Sequence, residues 1–443
     1  MIHTQCIIKN RLSLAVAAIL AFMSPILLGA CADDSVSASA AHQPEFSSDT
    51  LFLGDIWAGE LSPTAAIRVY NRNPKGIIIS SVAVTGADAH AVSISVDGSS
   101  SSFSNVEILR NDSIYILAAA RPEHGGEIDA AIELTTNGVT VSVPIKASVK
   151  EPVTISGGVV GSSVTIGGDI RVFGELTVEA GATLTLEPGT TLWMHEGAGI
   201  TVNGALVAEA HAEAPVVVRG DRTGFVASTI PYDIMPGQWR GITVGDGASL
   251  SASFVEILNP AEGVKLLEGA SASMVNCRVS NSKSSLIAAA QGAELTAAGC
   301  EFAEADGALV SLDGASATLV RCTLANNYLF SLPSAPALEG TPASFEAFGC
   351  IVYKPGSETS AGFEGTFTRC LFGSQGSDDE NFIDCVWGAV PRFMLDLDNY
   401  LFDYRLGDDS PAKGVVKESH SLAPAVDRYG VPAPLPAPAG AYN

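Results

Sequence analysis

Positive charge is scarce in this sequence: 24 Lys and Arg stand against 48 Asp and Glu over 443 residues. A chain so poor in cations has no basic patch with which to neutralise phosphates, which excludes nucleic acid as a partner. The same imbalance disfavours polyanionic glycans unless Ca²⁺ bridges them. No Cys-x-x-Cys pair occurs among the 8 cysteines, so no metal site with zinc-type spacing is expected, and nothing points to a cofactor. No cysteine lies between positions 50 and 150, which excludes an antibody-type disulfide there. Long apolar runs are missing too, save one. Leu12 to Leu28 holds 17 residues, interrupted by Ser24-Pro25, short of the roughly 20 that span a bilayer.

That run follows Lys9 and Arg11, the order of a secretory signal peptide. It ends in Leu28-Gly29-Ala30-Cys31, which resembles the lipobox of bacterial lipoproteins. The resemblance implies cleavage before Cys31, a diacylglyceryl group on its thiol, and a membrane as the partner of that lipid. Cleavage removes Lys9 and Arg11 but no acidic residue, leaving 22 basic residues against 48 acidic ones. Ala32 and then Asp33-Asp34 resemble the surface-export signals of lipoproteins in Bacteroidota-type bacteria. Outer-membrane localisation with surface display is the corresponding expectation.

Only 16% of residues are charged, 44 are Gly, and Ala, Val, Ser and Thr abound, which favours strands and tight turns. Residues 1–30 read as signal peptide and 31–47, rich in Ser, Ala and Asp, as a flexible tether. From 48 to 150, short alternating segments such as Ala66–Tyr70, Ile77–Val82, Ser113–Leu117 and Val139–Val143 are divided by turn residues. About seven such strands predict an Ig-like β-sandwich. Asn71-Arg72-Asn73-Pro74-Lys75-Gly76 marks a hairpin or loop between two of them.

Residues 151–395 carry a repeat. Gly247, Gly269, Gly292 and Gly314 are spaced 22, 23 and 22 residues apart. Three residues on sit Leu250, Ala272, Leu295 and Ala317; eight on sit Val255, Cys277, Cys300 and Cys322. The alternation resets once inside each repeat, so two short strands meet at a bend, and a third run follows near Val264, Leu286 and Leu309. Three strands per repeat, stacked in register, predict a parallel β-helix of about 11 coils. Asn259, Asn281 and Asn326 share a turn column suited to a left-handed backbone. The six later cysteines favour disulfides by number and export, but parallel stacking favours buried free thiols.

The specific runs Arg219-Gly220-Asp221-Arg222, Pro231-Tyr232-Asp233, Pro236 to Ile242, Asn399-Tyr400, Phe402 to Leu406, Asp427 to Gly430 and Gly440-Ala441-Tyr442 resemble a family of lipoproteins. That family has a right-handed parallel β-helix, the pectate-lyase-like fold, and comes from Bacteroidota-type bacteria. The resemblance covers nearly the whole chain after Cys31. It implies that 396–443 folds over the last coil as a C-terminal cap, where composition alone suggests a Pro-rich tail. The expected architecture is all-β: an Ig-like sandwich, then a right-handed parallel β-helix with its cap.

Some parallel β-helices cleave polysaccharides, and that chemistry needs paired carboxylates or a base beside bound Ca²⁺. Here Glu256, Glu268, Glu301 and Asp313 stand singly, and His195 and His211 have no evident partner in sequence. No catalytic residue is therefore assigned, and a non-catalytic scaffold or adhesin-like binding protein for a glycan or a surface protein is the expectation. A polysaccharide lyase or glycoside hydrolase is the alternative. Recognition is expected where the repeat breaks, because solenoid insertions gather on one face. Between 219 and 241 that break brings Arg219, Arg222, Tyr232, Asp233, Gln238, Trp239 and Arg240 into one segment. A self-packed structural loop is the competing reading of the same residues.

Overall fold

A computed structural model describes residues 35–100, 103–226 and 229–443. The signal peptide, Cys31 and Asp33-Asp34 lie outside these described residues. Among them, no helix is long and apolar enough to cross a membrane. The chain divides between Glu151 and Pro152 into two compact units.

The first unit is a β-sandwich. One sheet orders Glu45–Phe46, Ala65–Tyr70, Ser113–Ala120 and Val92–Val96. The other orders Leu51–Trp57, Val139–Lys150, Ala130–Thr136, Ile77–Thr85 and Val106–Ile108. Alternate residues of Ala130–Thr136 are buried, so Ile132 and Leu134 join Ile67, Ile79 and Ile116 in the core between the sheets. Asn71–Gly76 joins strands of different sheets and is therefore a crossover loop, not a hairpin. The buried Asn71 amide holds it by donating to the carbonyls of Lys75 and Ile108. A true hairpin lies at Asn137-Gly138, both with positive φ, as a two-residue turn between twisted strands requires. Residues 35–47 depart from the expected tether. Glu45 and Phe46 pair with Tyr70 and Val69, and the Asn137 amide donates to the carbonyls of Ser39 and His42.

The second unit is a right-handed parallel β-helix of three sheets with ten, eight and ten strands. Sheet one runs from Val153–Ile155 to Leu371–Phe372, sheet two from Gly158–Val160 to Leu338–Thr341, and sheet three from Val164–Ile166 to Phe382–Ile383. The register aligns Leu206, Leu250, Ala272, Leu295, Ala317 and Phe345 in one inward column. Gly247, Gly269, Gly292 and Gly314 all have φ near +70°, the left-handed turn from sheet two to sheet three that glycine enters without a Cβ clash. The turn from sheet three to sheet one is a single left-handed residue: Phe254, Asn276, Gly299, Arg321, Gly349, Arg369 and Asp384 hold φ of 51–63°. In the Asn column, Asn259 and Asn281 are left-handed as expected. Glu304 sits between Asn281 and Asn326 in register and takes the left-handed conformation that Asn326 does not.

One residue after that single-residue turn stand Cys277, Cys300, Cys322, Cys350, Cys370 and Cys385. All six are free, and the first five are buried. The N–H of Cys322 donates to Cys350 Sγ at 3.3 Å, and Cys322 Sγ donates to the Ala297 carbonyl. The thiols thus fill the core and satisfy one another. Titration should find all six in denaturant and at most the half-buried Cys385 in the native protein, because accessible thiolate sets the rate. A denatured count of about half that or less would mean disulfides.

The C-terminal segment folds onto the outer flank of the β-helix and reaches its last coils, where Ala412 and Ala439 pack with Leu371. Val416 and Ala437 pack on Ala298, Val320 and Phe348; Tyr404, Ala441 and Tyr442 pack on Ala303 and Ala325. Small outward side chains leave room for this strap. The last coils carry their own aromatic plug, with Phe382 stacked on Phe367 at 4.9 Å and Trp387 on Phe372 at 4.7 Å.

Candidate functional site

The outer face of sheet one carries a charge ladder. Register places Glu256, Arg278 and Glu301 on successive coils, where opposite charges on neighbouring strands attract. Arg278 Nε lies 2.8 Å from Glu301 Oε1. The strap then adds to the ladder from outside: Arg428 pairs with Glu256, and the Tyr442 hydroxyl donates to Glu301. Asp427 shapes this stretch, its Oδ1 accepting from the N–H groups of Tyr429 and Val431 and its Oδ2 from that of Asn443. Such an aspartate turn fixes the direction of Arg428 and Tyr429.

The insertion 219–241 is a packed loop in part and a surface in part. Trp239 is 2% exposed and belongs to the core of the helix, its indole N–H donating to the Leu258 carbonyl at 2.8 Å. Gln238 is buried too, its amide holding the carbonyls of Tyr232 and Met235. These two residues, expected to meet a ligand, instead fasten the loop. Arg240 is exposed and pairs with Glu175 at a separate hollow on the outer face of sheet two. Arg222 pairs with the exposed Glu196, its guanidinium 5.9 Å from the Tyr232 ring. Arg219 and Asp233 pair at 2.6 Å. The side-chain amides of Asn259 and Asn281 donate to the Asp233 carbonyl, so the turn column of the helix positions the loop.

Between this loop and the strap lies a groove of about 470 Å³. Arg219, Asp233, Glu256 and Arg278 line one side of it, and Tyr400 and Tyr429 come from the strap. Tyr429 is 56% exposed and is held by stacking on Tyr442 at 5.7 Å, with the guanidinium groups of Arg405 and Arg428 within 5.5 Å of its ring. The carboxylates at the groove are already engaged: Asp233 by Arg219, Glu256 by Arg428, and Asp403 by Arg405. Partial burial opposes ionisation of Asp403, but the hydrogen bonds from Arg405 outweigh it and hold the carboxyl below its usual range. Glu256, Arg278, Tyr400, Asp403 and Tyr429 escaped the insertion-based reading. Their signal lies in the 22- and 23-residue spacing of Glu256, Arg278 and Glu301 and in the runs around 399–406 and 427–430.

His195 does have a partner. Its Nδ1 and the Nε of Arg171 both meet Asp221 Oδ2 at 2.8 Å. Asp221 is buried there. His211 pairs with exposed Glu213.

No family model matches the chain, and no curated protein does. Among solved structures, a protein of unknown function from Porphyromonas gingivalis W83 is similar at 24% identity over 25% of this chain and 50% of that one, with a TM-score of 0.20. This chain thus spans about half the length of that protein, and so slight a likeness informs neither fold nor function. What the fold itself defines is a class: an all-β protein with a sandwich followed by a right-handed parallel β-helix.

Proposed function

We propose that the protein is a non-catalytic, lipid-anchored surface protein of Bacteroidota-type bacteria that binds a glycan in the groove between the 219–241 loop and the strap. The observation that carries this reading is the convergence of Arg219, Asp233, Arg278, Tyr400 and Tyr429, distant in sequence, on one cleft. Tyrosines offer flat apolar faces with a polar edge, and Arg and Asp offer the donors and acceptors that sugar hydroxyls need. Groups already paired and hydrogen-bonded are pre-ordered for binding, which lowers its entropic cost. The same pairing disfavours the hydrolase alternative, since a general acid needs a carboxyl that retains its proton, and the lyase alternative, since carboxylates already held by arginines are poorly placed to ligate Ca²⁺. The anchor rests on the Leu28–Cys31 lipobox and the display on Asp33-Asp34.

Glycan-array binding of the full chain is the test. Tyr429→Ala and Arg219→Ala should each weaken binding about ten-fold, the effect of losing one well-placed contact. Arg240→Ala, away from the groove, should leave it unchanged. Absence of any glycan ligand, or equal binding by all three variants, overturns the groove, and released oligosaccharide favours the enzyme. Mass spectrometry of the mature N-terminus tests the anchor, where a retained Met1 or an unmodified Cys31 overturns it.

A further inference from the structure

The strap also encloses a second cavity, of about 310 Å³, over the edge of sheet three. Phe348 of the helix and Val416, Pro424 and Leu435 of the strap give it apolar walls, and Glu418, Ser419 and His420 of the strap give it polar ones. Arg321 lines it from the single-residue turn between sheets three and one. This arginine is 4% exposed. Its guanidinium donates to Asn443 Oδ1, a neutral amide, and its buried Nε has no partner.

Arg278 and Arg369 also keep an Nε without a hydrogen-bond partner, but these, like the buried Arg171 and the half-buried Arg428, each lie beside a carboxylate. Arg171 meets Asp221, Arg278 meets Glu301, Arg428 meets Glu256, and Arg369 meets Glu418. Among the described residues no carboxylate pairs with Arg321. The carboxylate of Asp427 is instead occupied by the three backbone N–H groups already described. A buried guanidinium with a neutral amide as its partner and no carboxylate in direct contact is costly, and Arg321 is part of the cavity lining.

We propose that this cavity is a binding site for a small organic carboxylate, its head on the Arg321 guanidinium and its apolar body against Phe348, Val416 and Leu435. The guanidinium fork matches a carboxylate in two-point geometry. Single charge fits the site better than double charge. Glu418 also lines the cavity, 3.3 Å from Arg369 Nη1, and its carboxylate would repel a dianionic phosphate. The volume lies at the small end of ligand sites, which run from roughly 300 to 1,000 Å³. An occupant about the size of octanoate fits that space.

Calorimetric titration of the full chain with octanoate, octanol and octyl phosphate tests the site. Octanoate should bind saturably at one site, with octanol and octyl phosphate each at least about ten-fold weaker. Arg321→Gln should lose octanoate binding by at least about the same factor. Because loss of a buried arginine can disturb folding, Ala433→Phe provides the second variant. It fills the cavity from the strap side, where Ala433 is only partly buried, and should abolish binding with an unchanged melting curve. The proposal is overturned if the folded wild type shows no saturable octanoate binding. It is also overturned if octanol or octyl phosphate binds as tightly, or if Ala433→Phe binds like wild type.

Discussion

Trp239→Ala is expected to lower the stability of the β-helical unit by roughly 3–5 kcal/mol, the usual cost of emptying a large aromatic site in a core. The indole is 2% exposed and packs inside the helix. Alanine would leave a cavity there and also leave the Leu258 carbonyl without the N–H it now accepts from. The backbone around Trp239 is knitted to the next coil, with Ala261 N–H donating to the Trp239 carbonyl at 2.7 Å and Glu262 N–H to that of Arg240 at 2.8 Å. Little local collapse can therefore offset the void. For a unit of this size, such a loss corresponds to a fall in melting temperature on the order of 10 °C. Arg240→Ala, one residue on, should cost no more than about 1 kcal/mol, because an exposed ion pair is screened by water. Denaturant titration of both variants checks the contrast. A Trp239→Ala protein that unfolds with the wild type would show that the indole is not a core residue, and would restore it as a stacking surface.

That contrast marks where sequence reasoning succeeds and where it stops. The β-helix was legible because its physics is periodic: Leu250, Ala272, Leu295 and Ala317 must all point inward if each coil stacks on the last. The cysteine column followed from the same period. Exposure within an insertion has no period to betray it, so Trp239 looked like a stacking surface when it is an anchor. Glu256, Arg278 and Glu301 looked like isolated charges because 22 or 23 residues separate them in the chain. The coil length converts that separation into adjacency. His195 lacked a visible partner for the same reason, Asp221 lying one coil further on. The turn at Phe254, Arg321 and Arg369 was hidden because tertiary stacking imposes a left-handed backbone on residues that do not favour it. The strap was the least legible. Its course along the flank depends on contacts such as Arg428 with Glu256 and Tyr404 with Glu304, each made across 100 residues or more.

The strap's contact with Glu304 makes the stability of this unit depend on pH. Glu304 occupies the left-handed position between Asn281 and Asn326, 1% exposed. Its Oε1 accepts from the Tyr404 hydroxyl and from the Asn327 N–H, while Oε2 is buried with no partner. Burial pushes the carboxyl up to about 7 against those hydrogen bonds, with Arg278 pulling it down and Glu301 pushing it up. The folded chain therefore holds a proton that the unfolded chain releases near the ordinary value of 4.5. Folding is favoured by this group below pH 4.5, and the advantage disappears as pH rises toward 7. A shift of that size amounts to about 3 kcal/mol. Glu304→Gln keeps the shape and the acceptor oxygen but cannot ionise, so the variant should lack this fall. Measured by urea denaturation between pH 4 and 8, its stability relative to wild type should rise by about 3 kcal/mol across the interval, whatever the remaining carboxylates contribute to both. Parallel profiles for the two proteins would mean that Glu304 is already ionised when folded. Its unpartnered oxygen would then need a donor that the contacts around Tyr404 and Asn327 do not supply.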